Sequence, residues 1–167
     1  MRAFAFLLFL TFFIPATGQN VLVQESFDQS ELPEGWSQQT LSNDGGWLVG
    51  DNQALQSQWW DIAPHGQFVA TNDDGCDCDK SADYLILPPL DFSDAAQAIL
   101  AFASYYDGGE YEGAVEVATV EYSVDGGASW SVLDTISGSD NGQWGFDVLS
   151  LSDLQGESGA LLAFRYN

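Results

Sequence analysis

The chain has 167 residues, of which 25 are acidic and only three are lysine or arginine, so its formal net charge at pH 7 is −22. Nucleic acids and anionic membrane surfaces are bound through lysine and arginine contacts, and this charge therefore argues against both as partners. Because 46% of the residues are hydrophobic and 14% are aromatic, the composition also excludes a disordered chain and favours one folded domain.

The first 18 residues have the pattern of a secretory signal peptide. Arg2 supplies a positive charge, the almost wholly apolar run 3–15 follows it, and small residues precede a cleavage point after Gly18. A membrane anchor is the alternative reading, but the run is shorter than the roughly 20 apolar residues that span a bilayer. We therefore expect a secreted or cell-surface protein without membrane insertion, in which residues 19–167 form one domain.

Short β-like runs separated by turn residues dominate the rest of the chain. The eight predicted strands are residues 21–27, 68–71, 84–87, 99–105, 118–123, 131–136, 146–151 and 160–166. Glycine, aspartate, asparagine and proline cluster between them, and no segment has a sustained helical period. The pattern predicts an all-β fold, an antiparallel β-sandwich of the jelly-roll type. Since the last run ends at the end of the sequence, we expect the sandwich to lack its last strand.

The segment 72–83 concentrates oxygen ligands that suit a hard cation. It contains Asn72, a single basic residue, Lys80, and five carboxylates, which are Asp73, Asp74, Asp77, Asp79 and Asp83. Lys80 alone does not balance these charges, and calcium is bound by about six to eight oxygens from carboxylates, amides and carbonyls. The spacing differs from that of an EF-hand, in which alternate acidic ligands are followed by a glycine in the middle of the loop and a glutamate at its end. The segment therefore predicts a calcium-organised loop.

Two cysteines, Cys76 and Cys78, lie within the same segment, one residue apart. A secreted protein can hold them as a disulfide, which at this spacing needs a tight turn. Free thiols and a zinc-binding pair are the alternatives, but zinc needs four ligands and His65 is the one histidine of the chain. We expect the disulfide.

Residues 123–130 read Ser-Val-Asp-Gly-Gly-Ala-Ser-Trp, which resembles the pattern known as an Asp box. In this pattern the aspartate accepts backbone N–H bonds across a hairpin, the glycines take positive φ, and the tryptophan packs over the turn. Asp boxes occur in sialidases and in many proteins without catalytic activity. We expect this single copy to have a structural role.

Five segments carry a resemblance to a known family. They contain the motifs ESFD with LPEGW, FVATNDD, DYLILPPLD, YSVDGGASW and LAFRY, in this order and within residues 22–167. This order is similar to that of the choice-of-anchor J and cleaved-adhesin domains. Those domains are jelly rolls related in fold to MAM domains, and they are common in secreted Bacteroidetes proteins. The resemblance implies an extracellular adhesion domain of this type.

The same resemblance implies a set of calcium ligands. The positions that match the family's calcium-binding residues are Glu25, Asn72, Asp74 and Asp83, and Asp73 is a further candidate. In the family a final strand with two aspartates completes the site. That strand has no counterpart in this sequence, which agrees with the expectation of a C-terminally incomplete domain.

The sequence contains none of the motifs Gly-x-Ser-x-Gly, His-Glu-x-x-His or a glycine-rich phosphate loop. Glu110, Glu112 and Glu116 offer carboxylates for glycosidase chemistry, but such pairs arise by chance in so acidic a chain. We therefore expect a non-catalytic binding or adhesion module for an extracellular glycan or protein. The candidate ligand-binding residues are aromatic, because exposed rings stack on sugars and form protein hot spots; they are Trp59, Trp60 and Trp144. The alternative is an accessory domain of a secreted hydrolase, a peptidase or glycosidase whose catalytic part lies elsewhere.

Overall fold

The computed structural model describes residues 20–73, 75–111, 113–138 and 142–167. Strands dominate these residues, with one short helix and one 3-10 turn. In chain order the elements are β1 (Ser37–Gln39), β2 (Leu48–Asp51), α1 (Asn52–Leu55), β3 (Gln67–Ala70), β4 (Asp83–Ile86), β5 (Leu90–Asp91), β6 (Ile99–Ser104), β7 (Glu110–Tyr111), β8 (Ala114–Val115), β9 (Ala118–Ser123), β10 (Ser131–Thr135), β11 (Gly145–Ser150), the 3-10 turn (Ser152–Leu154) and β12 (Ser158–Tyr166).

The largest sheet has the strand order β1-β4-β12-β9-β10, and every pairing in it is antiparallel. The nine-residue strand β12 lies at its centre, between β4 and β9, and its first residues also pair with β5. Ala163, for example, lies opposite Ile86 of β4 and Glu121 of β9. A strand paired on both sides has its backbone groups satisfied, and β12 is the longest of the strands held in this way.

Three antiparallel pairs accompany the large sheet: β2 with β3, β6 with β11, and β7 with β8. Side chains of β6 alternate between half-buried and exposed, as expected of a strand with one face against a core. The half-buried Phe102 packs edge-on against Phe164 of β12, with ring centroids 4.9 Å apart. The pair β6–β11 is therefore the second layer of a sandwich over the large sheet.

The main hydrophobic core lies at one end of this sandwich. Its members are almost fully buried and come from the β4–β5 connection, the 3-10 turn and β12; they are Leu87, Leu90, Phe92, Leu151, Leu154, Ala160 and Leu162. Trp36, Leu100 and Phe164 pack against this cluster from outside. Apolar burial of this kind is the main force that holds two sheet layers together.

The sequence predicted the fold class correctly. Seven of the eight predicted runs overlap a strand, and the all-β, antiparallel sandwich is confirmed. The jelly-roll connectivity stays a prediction. The predicted leader lies outside the described residues, and within those residues no helix has the length and apolar character needed to cross a membrane.

One predicted strand is wrong. Residues 21–27 run past the sheets without pairing to a strand that the structure describes. The Glu25 carboxylate accepts the backbone N–H groups of Ser26 and Phe27 at 2.8 and 2.6 Å, and Phe27 has a φ of 55°. A side chain that binds its own neighbouring amides offers the backbone an alternative to a ladder, and a left-handed residue ends an extended run.

The β9–β10 hairpin has the local structure that its sequence predicts. Asp125 accepts the N–H of Ser129 at 2.9 Å and its hydroxyl at 2.6 Å, and Ser123 donates to the same carboxylate at 2.7 Å. Bonds from Ser129 lower the pKa of Asp125 to about 2. The two glycines that follow have φ values of 74° and 89°, and the Trp130 ring lies beside a tyrosine of β4. In this chain the Asp box stabilises the turn of the β9–β10 hairpin.

Candidate functional site

Cys76 and Cys78 form a disulfide, with their Cα atoms 5.1 Å apart. Of the three states that the sequence left open, this is the one in the structure. The turn between them places Asp77 at a φ of 48°. Oxidised sulfurs do not act as thiolate ligands, so this pair does not bind zinc.

The one lysine of the chain lies inside the protein rather than on its surface. Lys80 is 4% exposed, and its ammonium nitrogen lies 2.8 Å from both carboxylate oxygens of Asp44. The same nitrogen lies 3.2 Å from the Ser42 hydroxyl and 3.3 Å from a carboxylate oxygen of Asp83. A buried ammonium needs such partners, because desolvation strongly disfavours an isolated charge.

The carboxylate of Asp83 is fully buried and fully engaged. The hydroxyl of Thr71 donates to one of its oxygens at 2.7 Å, and the hydroxyl of Thr40 donates to the other. Burial raises the pKa of Asp44, but bonds from Lys80, Ser42 and the backbone outweigh this and hold it at about 2. Lys80 and the two aspartates form a closed ion network, defined here as Asp44, Lys80 and Asp83.

The predicted calcium ligands do not all come together in the described structure. Within the described residues, the set of three candidate ligand atoms that all lie within 4.8 Å of one another is Asp44 with the two disulfide sulfurs. Asp83 has no oxygen left over for a cation, since Lys80 and two hydroxyls occupy it, and it does not fit a calcium site. Asp74 lies outside the described residues. Glu25, Asn72 and Asp73 do line one common cavity.

This central cavity has a volume of about 460 Å³ and lies between the two layers of the sandwich. Residues 67–70 of β3 and 100–104 of β6 form two of its walls. Its apolar floor comes from the large sheet, through Leu85 and Phe164. Ligand sites in proteins are typically concave, mostly apolar and about 300–1,000 Å³ in volume.

An aromatic cluster lines one part of the central cavity. The Trp144 ring lies 4.4 Å from His65, 5.0 Å from Phe68 and 5.6 Å from Tyr105, measured between ring centroids. Its indole N–H donates to the carbonyl of Ala63 at 2.7 Å, which fixes the orientation of the ring. Tilted and edge-to-face contacts of this kind are the preferred geometries of aromatic pairs.

Trp59 and Trp60 line the same cavity. The Ser57 hydroxyl accepts the backbone N–H groups of both, each at 3.0 Å, and so positions the loop that carries them. Trp60 lies 6.3 Å from Tyr105, whereas Trp59 exposes 70% of its surface. The structure thus brings together the three tryptophans that the sequence nominated. The cavity lining also includes His65 and Tyr105, which the sequence alone did not nominate as ligand-binding residues.

Carboxylates surround the central cavity. Glu25, Asp73, Asp107 and Glu116 all line it, and the Tyr166 hydroxyl donates to Asp73 at 3.0 Å. Burial, and then the charges of Asp73 and Glu116, raise the pKa of Tyr166. Burial and the charges of Asp107 and Asp61 also raise that of Tyr105. Burial is the larger cause of both shifts, and the neighbouring carboxylates add to it.

One guanidinium belongs to the described lining of the cavity, that of Arg165. It lies 3.4 Å from the Glu121 carboxylate and donates to the carbonyl of Ser81 at 3.0 Å. Arg165 is therefore paired with Glu121, which does not line the cavity.

Comparison of the chain with models of protein families, with curated proteins and with solved structures finds no match. The resemblance to choice-of-anchor J domains therefore rests on the five sequence segments alone.

Proposed function

We propose that this chain is a secreted, non-catalytic module that binds an extracellular glycan or protein in the central cavity between β3 and β6. The observation that carries the proposal is the convergence of Trp59, Trp60 and Trp144 on one cavity of about 460 Å³. Large rings with few rotatable bonds give contact area at a low entropic cost, which is why they dominate binding hot spots.

The exposure of Trp59 supports the proposal. An exposed, isolated apolar side chain is ordinary, but Trp59 lies next to a half-buried aromatic cluster and on a loop fixed by Ser57. A solvent-facing ring on a loop whose backbone is already positioned costs less entropy to cover than one on a loop that a ligand has to order. The arrangement suits stacking on a sugar ring or packing against a protein side chain.

The sequence supports a non-catalytic role, since it contains none of the motifs Gly-x-Ser-x-Gly, His-Glu-x-x-His or a glycine-rich phosphate loop.

Calcium is part of the proposal as a stabilising ion, with Glu25, Asn72 and Asp73 as its side-chain ligands. Their shared membership of the cavity lining and the net charge of −22 support this assignment. Carboxylates, amide oxygens and backbone carbonyls are the ligands that calcium prefers. Asp83 is excluded from the set because it belongs to the ion network.

The proposal is tested by screening the protein on a glycan array and by pull-down from extracellular material, followed by titration of each hit. Trp59→Ala should abolish or strongly weaken binding. The matched control is Phe146→Ala, which removes an equally exposed ring, 71% against 70%, from β11 and away from the cavity. Binding that Trp59→Ala leaves intact, or that Phe146→Ala weakens equally, would overturn the proposal.

A further inference from the structure

The loop that connects α1 with β3 is docked on the rest of the protein through three successive residues. The Tyr105 hydroxyl donates a hydrogen bond to the carbonyl of Asp61 at 2.8 Å. The indole N–H of Trp144 donates one to the carbonyl of Ala63 at 2.7 Å. Between these two carbonyls, the side chain of Ile62 is only 1% exposed. The loop is therefore held by one buried apolar anchor with a hydrogen bond from outside the loop on each side of it.

Both donors belong to the end of the β6–β11 layer. The ladder of this pair ends where Ser104 lies opposite Gly145, and Tyr105 and Trp144 are the next residues on the two strands. Their ring centroids are 5.6 Å apart. The two hydrogen bonds join residues that are 44 and 81 positions apart in the sequence. The layer therefore offers a paired platform, outside the loop, that fixes where the loop lies.

The position of residues 61–63 also fixes that of Trp59. The Ser57 hydroxyl accepts the backbone N–H groups of Trp59 and Trp60, and the Ser57 N–H donates to the carbonyl of Trp60 at 3.0 Å. These bonds close the first part of the loop into a turn. Because the turn leads directly into the docked residues, the platform also determines where the exposed ring lies at the cavity.

The surroundings of Trp144 differ from those of Trp59. The rings of His65, Phe68 and Tyr105 pack on Trp144, at centroid distances of 4.4, 5.0 and 5.6 Å. The indole N–H is the only donor that a tryptophan side chain has, and the loop already engages it. Trp59, in contrast, is 70% exposed. Trp144 is thus placed to hold the loop, and Trp59 to contact a ligand.

We infer that Tyr105 and Trp144 are positioning residues of the binding site, which hold the 57–65 loop and with it the ring of Trp59 at the central cavity. A protein whose binding-competent state is only partly populated binds more weakly in proportion to that fraction. Release of the loop therefore lowers the affinity without removing a ligand contact. The inference rests on the proposed function and deepens it, since it assigns different roles to two of the three tryptophans.

The first arm of the test measures the loop and needs no ligand. Backbone amide exchange over residues 57–65 is compared between the full wild-type chain and the variants Tyr105→Phe and Trp144→Phe, which remove a donor and keep an aromatic ring. Exchange in the loop should become about two- to tenfold faster, the factor that corresponds to one lost hydrogen bond. The bond from Trp144 is the less exposed of the two, so Trp144→Phe should have the larger effect.

Two matched variants control for a general loss of stability. Tyr84→Phe removes the hydroxyl of another half-buried tyrosine, and Trp130→Phe removes the indole of another half-buried tryptophan; neither residue lines the cavity. Melting temperatures are recorded for all four variants. The controls should leave exchange over residues 57–65 unchanged, whatever their effect on the melting temperature.

The second arm measures affinity, with the strongest binder from the glycan array and the pull-down as the probe. Tyr105→Phe and Trp144→Phe should weaken its binding by about two- to tenfold, and the two controls should not.

The outcomes separate the inference from the proposed function. Unchanged exchange in both loop variants overturns the inference, even if their melting temperatures fall. Faster exchange with unchanged affinity overturns the positioning role and leaves the proposed function standing. A screen without any binder overturns the proposed function, and the exchange measurement still decides whether Tyr105 and Trp144 hold the loop.

Discussion

The ion network and the central cavity differ in how their carboxylates are placed, since those of the network are paired inside the protein and those of the cavity line an accessible space. In the network, Lys80 is 4% exposed and Asp83 is fully buried, and ammonium and hydroxyl donors occupy both carboxylate oxygens of Asp83. At the cavity, the carboxylates of Glu25, Asp73 and Asp107 line an accessible space, and none of the three forms a salt bridge with a described lysine or arginine. The first arrangement stabilises a fold, and the second is suited to attract a ligand.

The contrast also corrects the first interpretation of the acidic segment 72–83. By charge alone the whole segment predicts a site for a divalent cation. In the structure its two ends belong to different regions, since Asn72 and Asp73 line the cavity while Lys80 and Asp83 belong to the network. A net negative segment does not define a single metal site when the fold separates its members.

The largest expected effect comes from breaking the ion network. Lys80→Met leaves Asp83 buried without its cationic partner, and breaking a buried pair in this way costs about 3–5 kcal/mol of unfolding free energy. Urea denaturation measures the loss. The double variant Lys80→Met with Asp83→Asn should recover a substantial part of it, because the uncompensated charge is gone. A single variant as stable as the wild type would show that Lys80 is not the counter-charge.

Calcium should stabilise the cavity side of the molecule and not the network side. At a hundredfold excess over the dissociation constant, the gain follows mass action and is about 2.7 kcal/mol. Thermal unfolding in calcium and in EDTA measures it. Asp73→Asn should reduce the difference, whereas Asp77→Asn, on the disulfide turn and away from the cavity, should not. Identical melting temperatures in calcium and EDTA would show that calcium does not stabilise this protein.

Removing the disulfide should have a smaller effect, because it closes a very short loop. Loop-closure entropy for Cys76 and Cys78, two positions apart, corresponds to about 1–2 kcal/mol. The paired variant Cys76→Ser with Cys78→Ser, compared with the wild type by urea denaturation, tests this. A loss as large as that of Lys80→Met would mean that the turn holds the ion network together.

Acid should weaken the network over a narrow range of pH. The pKa of Asp44 is about 2 in the folded protein against an ordinary value of 3.8, so its contribution is fully present above pH 3.8. It is lost as the pH falls through that range towards 2. Melting temperatures across the range should fall less steeply for Asp44→Asn than for the wild type. Parallel curves would contradict the lowered pKa.

The sequence predicted those parts of the molecule that depend on local patterns. Short β-like runs bounded by turn residues located β6, β9 and β12, and the turn chemistry of residues 123–130 predicted the hairpin that the structure contains. The prediction failed at residues 21–27, although apolar and polar side chains alternate there. There the Glu25 side chain binds its own backbone amides, and this competition is invisible in a hydrophobic pattern.

The site depends on contacts between distant residues, and for that reason it was only partly predictable. Trp59 and Trp144 are individually conspicuous, but their convergence requires the packing of the 57–65 loop against the end of β6. Lys80 reaches Asp44 across 36 positions, a distance over which the sequence gives no signal.

The most direct test of the central claim, that the cavity is the binding site, uses the six tryptophans as reporters. Five of them line the cavity, and the sixth, Trp130, lies in the β9–β10 hairpin. Indole N–H signals of the ¹⁵N-labelled protein should be recorded while the strongest ligand from the binding screen is added. The account predicts that the signals of Trp59, Trp60 and Trp144 shift with saturation and that of Trp130 does not. A ligand that shifts Trp130 and leaves those three signals in place would contradict it.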